Sequence, residues 1–281
     1  MQSNNPVFRR SEAFNGASTN AYGNQTYAGN GATQQGYGQA GYGEPGVPTQ
    51  AGSGRPMTID SVVQKTGISL AVVIVTAALT WWFTPDIAAG ADLGPLIGAM
   101  TIGSLAAFGL SLVNSFKRVV SPALVIAFCV AEGVALGALS KYFDGYFGDG
   151  IVTQAVLGTF AAFAGTLAAY KFFNIQVGSK FRTFVIAAVF GMVGLSLLEM
   201  VLGAFGNQLG LFGFGGMGLI FAVVGLVLGV FMLILDFDFV EQGVAAGIDE
   251  RESWRAAFAL TVALVWIYTN LLRILAIFSS D

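Results

Sequence analysis

Histidine is absent from this 281-residue chain, and cysteine occurs once. The first absence removes the usual zinc and haem ligands, Ser-His and Cys-His catalysis, and the one side chain whose unperturbed pKa lies near neutrality. Any proton chemistry must therefore run through carboxylates. The single cysteine, Cys129, permits no intrachain disulfide and no cysteine metal cluster. Charge is scarce as well: Asp, Glu, Lys and Arg make up 10% of the residues, against about 25% in soluble domains. The metalloprotease HExxH, the Walker A loop and the GxSxG elbow are all missing. The last apolar segment also lacks the lysine that a retinal protein needs. Neither an enzyme nor a cofactor is expected.

What is present is hydrophobicity. Apolar residues make up 55% of the chain, and the mean hydropathy is +0.70. So few charges cannot cover so much apolar surface in water, whereas a bilayer removes that requirement. The net charge of −3 and the pI near 4.9 leave no basic surface to repay phosphate binding, which excludes a nucleic-acid partner.

Residues 1–56 read differently from the rest. The tract YGNQTYAGNGATQQGYGQAGYGEPG has almost no aliphatic residues to bury, so nothing offsets the entropy of ordering it. A disordered tail is expected there, either passive or sticky through its spaced tyrosines. No apolar stretch follows Arg9 and Arg10, so it does not read as a signal peptide. Apolar runs then recur at 66–84, 95–116, 120–139, 151–170, 183–204, 217–235 and 256–278. Each is close to the ~20 residues that cross a ~30 Å hydrocarbon core as a helix. Strands are excluded because the runs lack period-two alternation. The expectation is an all-α membrane protein: a tail, then a seven-helix bundle over 57–281 in contact with the lipid bilayer.

Lysine and arginine orient it. Lys65, Lys117, Arg118, Lys171, Lys180, Arg182, Arg251 and Arg255 all precede or connect segments on one side. The other side holds Lys141 alone, with Asp86, Asp92, Asp144 and Asp149. By the positive-inside rule the N-terminus is cytoplasmic and the C-terminus external, with Trp81, Trp82, Tyr142 and Tyr146 near the outer interface. Gly133–Gly137 and Gly225–Gly229 have the spacing of close helix contacts. Among so many glycines that spacing arises easily by chance.

Charges within the spans are the candidate functional residues. Glu132 lies near the middle of the third run, where a carboxylate costs roughly 2.5–3.5 kcal/mol on insertion scales unless paired, hydrated or protonated. It reads either as a pathway acid or as a protonated acid bonded to a neighbouring helix. Glu199, in the last turns of the fifth run, is within reach of the outer interface. Asp236 and Asp238, in LILDFDFVEQG, point about 200° apart on a helix and cannot face one partner together. Asn270 and Arg273 share a face of the last run, and Arg273 either snorkels outward or pairs with Glu199 or Glu132.

The segments MTIDSVVQKTG, AEGVALGALS, LILDFDFVEQG and ERESWRAAFALTVALVWIYTNLLRIL, in that order, resemble the Bax inhibitor family, the transmembrane Bax-inhibitor-motif proteins, and particularly its bacterial membrane branch. The resemblance covers roughly residues 57–278. It implies a seven-helix bundle with a central helix, in the bacterial inner membrane, and a pH-sensitive calcium leak gated by two aspartates on the last two helices. Asp236 matches the first aspartate. The second falls on Ala263 or on Asn270, depending on the alignment, and neither ionises. Asp236 is expected to matter more than Asp238, closing the inner mouth either by accepting hydrogen bonds or by pairing with a base, with desolvation and bases such as Lys117 or Arg118 setting its titration. Two functions follow: a channel or transporter for calcium or another cation, or a non-conducting scaffold that binds a membrane-protein partner such as a protease.

Overall fold

The computed structural model describes residues 55–87, 92–148, 150–173 and 175–279. The expected tail lies outside these residues apart from Arg55 and Pro56, and so does Asp149. Among the described residues the fold is helical, with seven helices long and apolar enough to cross a membrane: α1 (Ile59–Phe83), α2 (Gly94–Phe116), α3 (Pro122–Phe147), α4 (Ile151–Phe172), α5 (Ser179–Ala204), α6 (Gly216–Ala245) and α7 (Glu252–Ser279). Several helices outrun their apolar segments. Hydropathy marks only the part that lies in hydrocarbon, and a helix continues wherever the interface can solvate its polar residues.

Local chemistry sets the ends. A capping box starts α1, with Thr58 and Ser61 each satisfying the other's backbone N–H. Proline occupies the first turn of α2 and of α3, where its missing N–H has no helical partner to lose. Gly247, at φ +62°, ends α6. Its N–H bonds to Val244 C=O while Ile248 N–H reaches back to Gly243 C=O, a Schellman closure. That turn aims Ile248 at Met57 and brings Asp249 opposite Pro56, where the chains form an antiparallel bridge. Arg55 and Pro56, expected to belong to the tail, are therefore tied to the α6–α7 connection.

Helix α7 is the centre. Ala256, Ala257, Ala263, Ile267, Leu272 and Ala276 are fully buried on it, and it packs against α6, α1, α4 and α3. Helix α2 rests chiefly on α3 and α5 on α6, and both turn residues such as Ile102, Leu105, Phe184 and Phe190 outward, as lipid-facing helices do.

The paired glycines prove to be contact points. A Cβ on Gly137 would lie 2.8 Å from the Cα of Ala77, and one on Gly133 2.6 Å from Val73 C=O, so α1 and α3 touch backbone to backbone. On the other seam Gly225 lies against Asn270 and Gly229 against Ile267 and Trp266. Lys141, the lone base of its side, sits inside the bundle near the end of α3. Its Nζ donates to Trp81 C=O at 2.8 Å and Thr84 C=O at 2.5 Å and pairs with Asp86 at 2.9 Å. It caps the C-terminus of α1, where orphan carbonyls and the helix dipole favour a cation. We call this the base-poor end and the opposite one the basic end.

Candidate functional site

At the basic end, α4, α5 and α6 converge. Arg182, in the first turn of α5, stands beside the last turns of α6, because the two helices run antiparallel and meet at this end. Its Nη2 donates to Asp238 Oδ2 at 2.7 Å, and Gln242, one turn further along α6, donates to the same oxygen at 2.8 Å. Asp238 is buried. Beside it, Tyr170 of α4 donates to Glu241 Oε2 at 2.6 Å, and its ring packs on Phe237. In the sequence Arg182 reads only as a loop base. The signal that identifies it is positional: a base opening one span and an acid closing the next share one end of a bundle.

Asp236 is half-buried and has no hydrogen-bond or ion-pair partner among the described residues. Neither Lys117 nor Arg118, the bases considered for it, pairs with it. Arg118 instead offers its carbonyl to Arg255 Nη2 at 2.8 Å, and Lys117 lines a crevice of about 700 Å³ with Lys65, Asp249, Glu250 and Arg251. The reason is helical phase. Asp238 faces α5, whereas Asp236 continues the line of Gly225, Gly229 and Gly243, the face laid on α7 and its approach. The α6–α7 register runs from Gly225 at Asn270 through Gly229 at Ile267, which brings Asp236 level with about Leu260. Asn270 is therefore about 16 Å away along the axis, at 1.5 Å per residue. Ala263 lies about one turn from that level, fully buried in the same cluster as Phe237, Leu260 and Leu264.

Asn270 is engaged in packing. Its Nδ2 donates to Trp266 C=O at 2.7 Å, while Trp266 Nε1 donates across to Gly225 C=O at 2.8 Å. Glu199 and Arg273 meet the same loop from opposite sides. The Glu199 carboxylate, buried at the base-poor end, accepts N–H bonds from Leu209 (2.8 Å), Gly210 (2.9 Å) and Leu211 (3.1 Å). Arg273 donates to Leu211 C=O at 2.6 Å and lies 5.2 Å from the ring centre of Phe212. Among the described residues Arg273 pairs with no acid; a loop carbonyl and an aromatic face give it both a hydrogen bond and a π partner. Glu132, at mid-helix on α3, is half-buried and has no hydrogen-bond or ion-pair partner among the described residues.

The α6–α7 connection carries a charge latch at the basic end. Lys65 Nζ donates to Glu250 C=O at 2.9 Å and pairs with its carboxylate at 3.3 Å. Arg255 pairs with Glu252 at 2.6 Å, and Ser61 and Ser253 share a 2.7 Å hydrogen bond. Among the described residues no cluster of three or more acids or thiols has the arrangement of a metal site.

Comparison with curated proteins finds no match. The family model described as Bax inhibitor 1 like matches residues 5–280, so the similarity extends into the tail that the resemblance leaves out. A match over nearly the whole chain, on a seven-helix membrane fold built around α7, places this protein in the Bax inhibitor family.

Proposed function

We propose that this protein is a pH-sensitive leak channel or transporter for calcium or another small cation, not an enzyme, and that its basic end faces the cytoplasm of a bacterial inner membrane. The observation that supports this most is the inner mouth on α6. One buried acid, Asp238, is closed onto α5 by Arg182. A second, Asp236, faces α7 with no partner among the described residues. A carboxylate kept at membrane depth without a structural bond is a functional group by default. The pair holds α5 to α6 by charge, so any change that removes either charge loosens that contact. With no histidine in the chain, carboxylates carry the pH response. The test is calcium flux into proteoliposomes made with the purified chain at several pH values. Flux that rises on acidification is expected, and vesicles no leakier than protein-free ones would remove the conducting role.

A second reading is a scaffold or regulator that binds a membrane-protein partner. It draws on the bridge between Pro56 and Asp249. A partner holding the N-terminal tail would pull directly on the connection between α6 and α7. Co-purification of a partner that depends on residues 1–54, from a chain without flux, is what this reading expects.

A further inference from the structure

The crevice of about 700 Å³ at the basic end takes no part in the gate proposed above. Its volume is in the range of small-ligand sites. Its walls come from three parts of the chain: Lys65 of α1, the α2–α3 connection with the first turn of α3, and the α6–α7 connection with Trp254.

The charges on these walls do not cancel among themselves. Glu250 is taken by Lys65, whose ammonium also stands 5.9 Å from the ring centre of Trp254. Asp249 turns back on its own loop and accepts the Arg251 N–H at 2.8 Å. The side chains of Lys117 and Arg251 reach the crevice from two different connections, and neither has a hydrogen-bond or ion-pair partner among the described residues. A third positive element borders them. Ser121 and Pro122 line the crevice and open the 26-residue helix α3, whose first turn has no side-chain cap. The Ser121 hydroxyl and the positive end of the helix are both left to meet an anion. The positive-inside rule accounts for bases at this end, but not for their convergence on one hollow. Lys171 and Lys180 belong to the same end and do not line it.

The position fits a phosphate of the membrane surface. The crevice lies where helices leave the hydrocarbon, and its rim carries Val119, 58% exposed, followed outward by the exposed ring of Phe116. Two bases set apart on separate connections suit an anion with several oxygens, which a lysine and an arginine can grip from two sides.

We propose that this crevice binds a phosphate-bearing anion, held by Lys117 and Arg251 over the start of α3. The bound group bridges the α2–α3 connection to the α6–α7 connection, beside the Lys65–Glu250 latch. A phospholipid headgroup and a soluble phosphate offer the same oxygens, and the test separates them. The site stands whether or not the chain conducts.

Full-length protein in a neutral detergent is titrated with phosphatidylglycerol, with phosphatidylcholine, whose choline offsets the charge, and with inorganic phosphate against chloride. Native mass spectrometry counts bound lipid, and thermal unfolding reads all ligands. Retention of phosphatidylglycerol in preference to phosphatidylcholine is expected, with a raised melting temperature. The affinity should fall about tenfold in Lys117→Gln/Arg251→Gln. It should stay at the parent value in Lys171→Gln/Lys180→Gln, which removes as many charges from the same end. Lys117→Gln alone is the second variant should the double one fold poorly, and it should lose several-fold. Stabilisation by inorganic phosphate but not by phosphatidylglycerol, with the same dependence on the variants, supports the site and assigns it to a soluble phosphate. Equal weakening in the two double variants overturns the site, because diffuse charge then explains the binding. So does a parent chain that distinguishes neither the two lipids nor phosphate from chloride.

Discussion

Both ends of this bundle bury an acid, and they satisfy it in different ways. At the base-poor end Glu199 takes three backbone N–H groups from one loop segment. At the basic end Asp238 takes a guanidinium from another helix and an amide from its own. Backbone donors cannot leave without unfolding the loop, whereas a guanidinium on a flexible stem can swing away. The first arrangement fastens; the second can open. Asp236, on the other face of the same helix, has no partner among the described residues and so no bond to lose.

Four substitutions test that contrast. The largest effect is expected from Glu199→Ala. It strands three N–H groups, one of them on the buried Leu211, and should cost about 3 kcal/mol. Thermal unfolding in detergent, together with new proteolysis within residues 205–215, reads it out. A stable but leaky variant would break the contrast, because Glu199 would then belong to a gate.

Arg182→Ala comes next. It leaves Asp238 with Gln242 alone, but the Arg182 side chain is 24% exposed and water screens part of the loss. A cost of about 1–2 kcal/mol is expected, with faster flux at neutral pH. Asp238→Asn in the same chain should recover part of the stability. A parent-like flux and pH profile in Arg182→Ala would separate this pair from gating.

Asp236→Asn should change stability by less than about 1 kcal/mol, since no bond is removed. Its effect belongs in the pH–flux curve, where the contribution of Asp236 is abolished. A fall in melting temperature as large as that of Glu199→Ala would mean that Asp236 is a fastener too. The smallest effect is expected from Arg273→Lys, which keeps the charge near Leu211 C=O and loses the planar contact with Phe212. A loss of about 0.5–1 kcal/mol in the same melting assay would place the cation–π contact in its ordinary range.

Much of the architecture is legible because the bilayer imposes it. The seven apolar runs have one physical cause, acting over a stretch of residues. The candidate site is legible only as a set of suspects. Glu132, Asp236 and Glu199 all read as acids at membrane depth, yet one accepts three backbone bonds while the other two have no partner among the described residues. Arg182 reads as a topological marker and serves as the counter-ion. Lys141 reads as an exception to the positive-inside pattern and serves as a helix cap.

Seven segments able to cross a membrane, a proton chemistry restricted to carboxylates, and the divergence of Asp236 from Asp238 can all be read from the amino acids alone. Those follow from composition, segment length and helical phase, all of which are local. Packing alone settles that α7 lies at the centre, that among the described residues Asp238 and not Asp236 meets a base, that Asn270 is too far along the helix to answer Asp236, and that Thr66 and Ser69 are buried. Each depends on the register and order in which helices pack. Register is set by where glycines let backbones touch, and no single helix carries that information.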